Sequence, residues 1–202
     1  MKLYDGGRAP NPRRVRVYLA EKAIEVPLEP VDIGALAQRS ADFTALNPLQ
    51  RTPVLVLDDG SVIAESIAIC RYFEELFPDP PLFGSGALER ARVEMWQRRI
   101  ELGLLNAVAA VFRHLHPAMV EMEKPQIPEW GEANKAKVAD FLAFLDGHLA
   151  EQEYLAGPFS VADITGLVAL DFMKPAKLSI PEELAHVRRW HAALKQRPSA
   201  TA

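Results

Sequence analysis

The segment from Leu49 to Ser66, LQRTPVLVLDDGSVIAES, contains residues whose types and spacing suit the recognition of a peptide. Thr52-Pro53 stands directly before an apolar run, and a proline cannot donate to a sheet ladder, so it belongs at a strand end, an edge or a tight turn. A cis bond there would leave backbone N–H and C=O groups free to pair with an extended peptide by strand addition. An ordinary trans turn is the alternative.

Glu65 and Ser66 come at the start of the helix that follows this segment. Glu65 offers a carboxylate to an ammonium group, while the Ser66 hydroxyl, the backbone N–H groups and the helix dipole suit a carboxylate. Taken alone, the pair is also compatible with an ordinary helix start. Together with Thr52-Pro53, it predicts a site for a small peptide with a free amino-acid head group.

The elements that must position these residues form a small α/β unit. The stretches KLY and VPLEPVDI predict two strands, and VLVL and SVIA predict a hairpin around Asp59-Gly60, a pair that suits a type I′ turn. Asn11 followed by Pro12 predicts the N-cap and first turn of a helix. The segment 35–47 is a weaker helical connection, and an amphipathic helix closes the unit near Phe77.

The rest of the chain predicts helices only. A Pro-, Gly- and Ser-rich linker over 79–86 separates an α/β domain at 1–78 from an all-α domain at 87–202. The helical segments are 87–116, 134–152, 161–173 and 184–196. Ser160 and Asp163 have the spacing of a capping box, which indicates a role in folding and stability.

Composition narrows the function and the compartment. The 202 residues carry a net charge of -4, with 23 basic and 27 acidic side chains, which argues against nucleic-acid binding. The single cysteine, Cys70, excludes an internal disulfide and fits a reducing compartment. Because the chain shows neither a signal peptide nor a membrane span, we expect a cytoplasmic protein that does not bind membranes.

Several separated motifs together resemble the glutathione transferase family. They are NPLQRTPVL, the hairpin, AESIAICRYFEELF and, in the helical half, FSVADI. The resemblance implies a thioredoxin-like N-terminal domain with the glutathione site and an all-α C-terminal domain with the second-substrate site. It also implies a homodimer that uses glutathione as a co-substrate and needs no other cofactor.

The resemblance also implies roles for the residues of the peptide site. The Thr52 backbone beside cis-Pro53 would pair with the cysteinyl part of glutathione, Glu65 and Ser66 would hold the γ-glutamyl group, and Gln50 would approach the glycyl carboxylate. Pro53 would thereby shape the strand end that binds the peptide.

The means of activating the thiol departs from the family pattern. Alignment with the serine-type pattern places Ala9 where the catalytic serine would stand, and alanine cannot donate a hydrogen bond. The replacements considered are Asn11, Tyr4, and the histidines His114 and His116. The segments EWG and LSIPEELAHVRRWHAALKQRPS resemble an atypical fungal and bacterial subgroup that lacks the catalytic Tyr, Ser or Cys. His116 is favoured slightly over His114, because the following Pro117 turns the chain near the expected cleft.

The remaining candidate residues would contact the second substrate, bind a metal ion, or act through a thiol or a positive charge. The apolar residues expected to contact a small apolar electrophile are Phe112, Met119, Trp130 and Phe172, each of which could instead belong to the core. The pair His114 and His116 lacks further ligands for a metal site. Cys70 is expected to be inert core, and the cluster Arg13, Arg14 and Arg16 a solvated helix start or a domain-interface salt bridge.

The function predicted from these features is conjugation of the glutathione thiol to an apolar electrophile. The alternatives are a glutathione-dependent disulfide or peroxide reductase and a glutathione-binding protein without catalysis. The absence of a hydroxyl at Ala9 keeps the last alternative open.

Overall fold

The computed structural model describes residues 1–202 and divides into two compact units. The first comprises Met1–Leu82 with Thr201–Ala202, and the second comprises Phe83–Ala200. None of the helices combines the length and the apolar character that a membrane crossing requires.

The first unit is a four-stranded mixed sheet with helices, as predicted. Its strands are β1 (Lys2–Asp5), β2 (Leu28–Pro30), β3 (Val54–Val56) and β4 (Val62–Ala64), and its helices are α1 (Pro10–Glu21), α2 (Ala41–Leu46) and α3 (Ser66–Leu76). The strand order is β2-β1-β3-β4. β1 runs parallel to β2 and antiparallel to β3, and β3 and β4 form the hairpin. β2 is therefore an edge strand.

A small apolar cluster holds α2 against the sheet. Val31, Phe43 and Val54 are its buried members, and Tyr4 packs against them. The Tyr4 ring meets the Phe43 ring edge-to-face with 6.0 Å between their centroids. Tyr4 therefore has the packing role that a strand residue beside a core cluster commonly has.

Two local predictions for this unit are wrong in detail. α1 begins at Pro10 with Ala9 as its N-cap, so Asn11 lies inside the first turn and does not cap the helix. Pro10 is itself suited to a first helical position, which moves the start ahead of Asn11. In the hairpin, Gly60 is the turn residue with positive φ, and Leu57 N–H donates to Ser61. These features fit a type I turn with a glycine bulge rather than the predicted type I′ turn.

The second unit is all-α, as predicted. Its helices are α4 (Gly86–Arg99), α5 (Asn106–Leu115), α6 (Pro128–Leu149), α7 (Val161–Phe172) and α8 (Ala185–Lys195). A π-helical segment, Ile100–Leu105, joins α4 to α5 without a break. α6 begins before the predicted Asn134 because Pro128 provides an earlier first-turn proline.

The centre of the second unit is α7, whose residues from Val161 to Leu170 are buried. The predicted capping box is present at its start, where the Asp163 carboxylate accepts hydrogen bonds from the Ser160 backbone N–H and hydroxyl, each at 3.0 Å. Gly166 allows the Trp190 ring of α8 to lie directly on the α7 backbone, since an added Cβ would be 2.2 Å from that ring. Small residues thus let the helices of this unit pack closely.

Candidate active site

The strand end before β3 presents unbonded backbone groups. The Thr52–Pro53 peptide bond is cis. Neither the Thr52 N–H nor its C=O takes part in a hydrogen bond within the chain. Gly6 allows the loop after β1 to lie close to the Thr52 side chain, because a Cβ at Gly6 would be only 2.4 Å from the Thr52 hydroxyl oxygen. A peptide strand could use the free N–H and C=O of Thr52 in the manner of strand addition.

Two residues near this strand end have an unusual backbone conformation. Gln50 has a φ of 54° and Glu65 a φ of 71°, values in the left-handed region that disfavours residues with a side chain. Such conformations cost on the order of 1–3 kcal/mol each and cluster at functional sites. The Glu65 side chain is exposed, while Gln50 Nε2 donates to the Thr44 hydroxyl at 3.1 Å. Gln50 Nε2 retains a second hydrogen for a ligand.

Ser66 is the first residue of α3, and a buried arginine contacts its side chain. Arg14 is 2% exposed, and its Nη2 donates to Ser66 Oγ at 2.8 Å. The same nitrogen donates to Asn11 Oδ1 at 2.8 Å. These two bonds bring together Asn11 of α1 and Ser66 of α3, which are both predicted site residues.

The arginine cluster of α1 is thus not a solvated helix start at Arg14 or Arg16. Arg16 makes an ion pair with Asp5 of β1, with Nη1 to Oδ1 at 2.6 Å, and both side chains are largely covered. Sequence reasoning missed Arg14 as a site residue. The spacing of Asn11 and Arg14, three residues apart on one helix face, was the available signal.

The two histidines lie at and just after the end of α5, in the second unit. His116 Nδ1 accepts from the Ala118 N–H at 3.2 Å, and its ring lies 4.7 Å from the Phe112 ring. His114 Nδ1 accepts from the Ile127 N–H at 3.0 Å, and its Nε2 is 3.9 Å from Glu123 Oε1. Because Nδ1 is an acceptor in both, each neutral ring carries its proton on Nε2.

Three of the four apolar candidates lie near His116, and the fourth lies elsewhere. Phe112 contacts Phe172, with ring centroids 5.1 Å apart, and Met119 is buried in the 3-10 turn after His116. Trp130 is 47% exposed and lies under Lys137, whose Nζ is 4.2 Å from the ring centroid. It lines a groove of about 660 Å³ between α6 and the π-helical segment with α5. Phe112, Phe172 and His116 therefore form one cluster, which does not share this groove with Trp130.

Cys70 is fully buried in α3. Burial raises the pKa of its thiol to about 12, because the charged form would lose its hydration. A thiol with so high a pKa is a poor nucleophile, in agreement with its predicted role as inert core. No three His, Cys, Asp or Glu side chains are grouped so that they could hold a metal ion.

The chain resembles known proteins over nearly its whole length. The models of the glutathione S-transferase N-terminal and C-terminal domains match residues 9–76 and 128–193. Glutathione S-transferase 2 of Saccharomyces cerevisiae is 38% identical, over 98% of this chain and 87% of the relative.

Solved structures agree with the sequence matches. The glutathione S-transferase domain-containing protein of Marinobacter aquaeolei VT8 is 43% identical with a TM-score of 0.95, over 99% of this chain and 100% of that one. Gtt2 of Saccharomyces cerevisiae is 38% identical, also with a TM-score of 0.95, over 100% of this chain and 99% of that one. The sheet with its cis-proline, the helical second unit and these matches together show that the chain belongs to the glutathione S-transferase family.

Proposed function

We propose that the protein conjugates the thiol of reduced glutathione to small apolar electrophiles. The observation that carries this proposal is that the backbone N–H and C=O of Thr52, beside cis-Pro53, make no hydrogen bond within the chain. The Glu65 carboxylate and the Ser66 hydroxyl at the start of α3 complete the set. This set offers backbone pairing for a peptide, a carboxylate for the ammonium group, and hydroxyl and helix N-terminal N–H donors for the carboxylate of an amino-acid head group.

The binding mode follows from these groups. The Thr52 N–H and C=O pair with the cysteinyl backbone of glutathione. Glu65 receives the γ-glutamyl ammonium group, and Ser66 with the N–H groups of the first turn of α3 receives the carboxylate. The second hydrogen of Gln50 Nε2 is available to the glycyl carboxylate.

Catalysis requires stabilisation of the glutathione thiolate. A thiol with a pKa near 8.5 is mostly protonated at pH 7, and lowering that pKa by about two units requires about 2.7 kcal/mol. Asn11 is a candidate donor, because its Oδ1 is occupied by Arg14 and its Nδ2 points the other way. The N-terminus of α1 adds positive potential.

The histidines are the other candidates for thiol activation. His116 Nε2–H is a donor that could hold a water molecule or the sulfur. His114 Nε2 faces Glu123, which makes it less available. The local contacts therefore favour His116 over His114, in the same direction as the position of Pro117 directly after His116.

The test is a pH titration of enzyme-bound glutathione, followed by the ultraviolet absorbance of the thiolate. We expect a bound pKa about two units below that of free glutathione, and an upward shift of about one unit or more in Asn11→Ala or His116→Ala. His114→Ala is the matched comparison. Glutathione that binds with an unshifted pKa in the wild type would contradict the proposed conjugation.

The absence of a hydroxyl at Ala9, which is the N-cap of α1, favours a second candidate, a glutathione-binding protein without catalysis. An unshifted thiol pKa in a tight glutathione complex is the outcome expected for it. A glutathione-dependent disulfide or peroxide reductase is the third candidate. Faster turnover of a mixed disulfide than of an aryl halide distinguishes it from the conjugating enzyme.

We further propose that the protein acts as a homodimer in the cytoplasm, as expected for a member of this family. Light scattering of the purified chain gives the subunit number directly. A monomer at micromolar concentration would contradict the proposed dimer without affecting the proposed glutathione site.

A further inference from the structure

We infer that Arg14 is a positioning residue, which sets the hydrogen-bond direction of Asn11 and of Ser66. This inference rests on the proposed function, since it concerns how the same glutathione site is organised. Arg14 itself is not proposed to touch glutathione.

The geometry assigns both contacts to one nitrogen atom. Arg14 Nη2 has two hydrogens, and it lies 2.8 Å from Asn11 Oδ1 and 2.8 Å from Ser66 Oγ. Asn11 belongs to the first turn of α1 and Ser66 to the first turn of α3, so this atom links the starts of two helices. Arg14 is 2% exposed and always charged, which makes it a fixed donor that water does not compete for.

The bond to Ser66 determines what its hydroxyl can offer to a ligand. A hydroxyl has one donor hydrogen and two acceptor lone pairs. Because Ser66 Oγ accepts from Arg14, and Arg14 has no acceptor, the Ser66 hydrogen must point away from the arginine. Ser66 is thereby kept as a donor, which suits the γ-glutamyl carboxylate. Without Arg14, the hydroxyl could rotate and present a lone pair instead.

The bond to Asn11 determines the orientation of its amide in the same way. Oδ1 faces Arg14, so the two N–H bonds of Nδ2 point to the other side. Without Arg14, the amide could rotate by half a turn and present its carbonyl oxygen to the thiol, which would disfavour the thiolate. A cation behind both groups also polarises them and strengthens them as donors.

The experiment compares the wild type with Arg14→Met in two measurements. The first is the ratio of dissociation constants for cysteinylglycine and reduced glutathione, which reports recognition of the γ-glutamyl group. The second is the pKa of the bound glutathione thiol. We expect Arg14→Met to lower the ratio by about 10-fold, as for loss of a charge-assisted hydrogen bond, and to raise the bound pKa by about one unit.

Arg16→Met is the matched control. Arg16 lies on the same helix and is also largely covered, but it pairs with Asp5 and contacts neither Asn11 nor Ser66 in the described bonds. Arg16→Met should lower stability. It should leave the ratio of dissociation constants within about twofold of the wild-type value and the pKa of the bound thiol unchanged. Equal effects of Arg14→Met and Arg16→Met on both measurements would show general destabilisation and overturn the inference.

Arg14→Lys addresses the possibility that Arg14→Met does not fold. It keeps a buried charge, but its side chain is one bond shorter, so its nitrogen cannot take the place of Nη2 between both acceptors. We expect the same two changes as in Arg14→Met. If Arg14→Lys matches the wild type in both measurements, Arg14 does not position these residues.

Failure of the proposed function gives a different result. A wild type that binds glutathione no more tightly than cysteinylglycine lacks the proposed γ-glutamyl site altogether. A wild type that discriminates strongly, together with Arg14 variants that discriminate equally well, leaves the glutathione site intact and removes only the role of Arg14.

Discussion

Trp190 Nε1 donates a hydrogen bond to Asp163 Oδ1 at 3.1 Å, which ties α8 to the start of α7. The same carboxylate accepts from the Leu155 N–H and from the N–H and hydroxyl of Ser160, each at 3.0 Å. Asp163 and Ser160 are both buried. One carboxylate therefore satisfies donors from a loop, a helix cap and a second helix.

The first prediction is that Asp163→Ala strongly destabilises the second unit. It leaves several buried donors unsatisfied, so we expect a loss of about 3–5 kcal/mol in the free energy of unfolding. Urea denaturation measures this loss. Asp140→Ala, which removes an exposed carboxylate of α6, should change stability by no more than about 0.5 kcal/mol. Similar effects of the two substitutions would contradict the assigned role.

The second prediction concerns the pH dependence of stability. Burial raises the pKa of Asp163 to about 6, although the hydrogen bonds to Leu155, Ser160 and Trp190 act in the opposite direction. The folded chain thus binds this proton more tightly than the unfolded chain. The resulting contribution to stability is fully present below about pH 4 and is lost as the pH rises through about 6.

Asp163→Asn isolates this contribution, because an amide does not titrate. The wild-type free energy of unfolding minus that of Asp163→Asn should fall by about 2 kcal/mol between pH 4 and pH 7. Urea denaturation at several pH values measures the difference. Curves that stay parallel over this range would show that the Asp163 pKa is the same in the folded and unfolded chains.

The third prediction compares two helical glycines. Gly166→Ala places a Cβ 2.2 Å from the Trp190 ring, so we expect a loss of about 1–3 kcal/mol through overpacking. Gly147→Ala, at an exposed position of α6 with no atom within 4 Å of the new Cβ, should stabilise by about 0.5–1 kcal/mol. Thermal unfolding of the two variants should therefore move the Tm in opposite directions.

The fourth prediction separates stability from binding at Glu65. Glycine tolerates the φ of 71° found there, so Glu65→Gly should leave stability unchanged or raise it by about 1 kcal/mol. It should also weaken glutathione binding by about 10-fold or more, because the carboxylate is lost. Calorimetric titration with glutathione and thermal unfolding test both parts.

Glu65→Gln provides the matched control, since it retains the backbone cost and removes only the charge. We expect weaker glutathione binding with no gain in stability. If both variants bind glutathione like the wild type, Glu65 does not hold the γ-glutamyl ammonium group.

The sequence was sufficient for the fold class, the hairpin, the edge strand and the capping box, because each depends on residues close together in the chain. The start of α1 was misplaced because Pro10 and Pro12 both suit a first helical turn, and the choice depends on how the loop after β1 packs. The bond from Arg14 to Ser66 could not be predicted, since it joins residues far apart in sequence. The same limit applies to the burial of the tryptophans. Whether a tryptophan is buried, like Trp190, or exposed, like Trp130, also depends on residues far away in sequence.

The edge strand β2 has a consequence for the behaviour of the chain at high concentration. Val31 N–H donates to Asp5 C=O at 2.8 Å. The backbone nitrogen of the preceding residue, Pro30, therefore points away from β1, towards the open edge of the sheet. An outward N–H at that position would be a donor for a strand of another molecule, and proline has none. A short strand that ends in proline thus protects this side of the sheet against intermolecular β-aggregation.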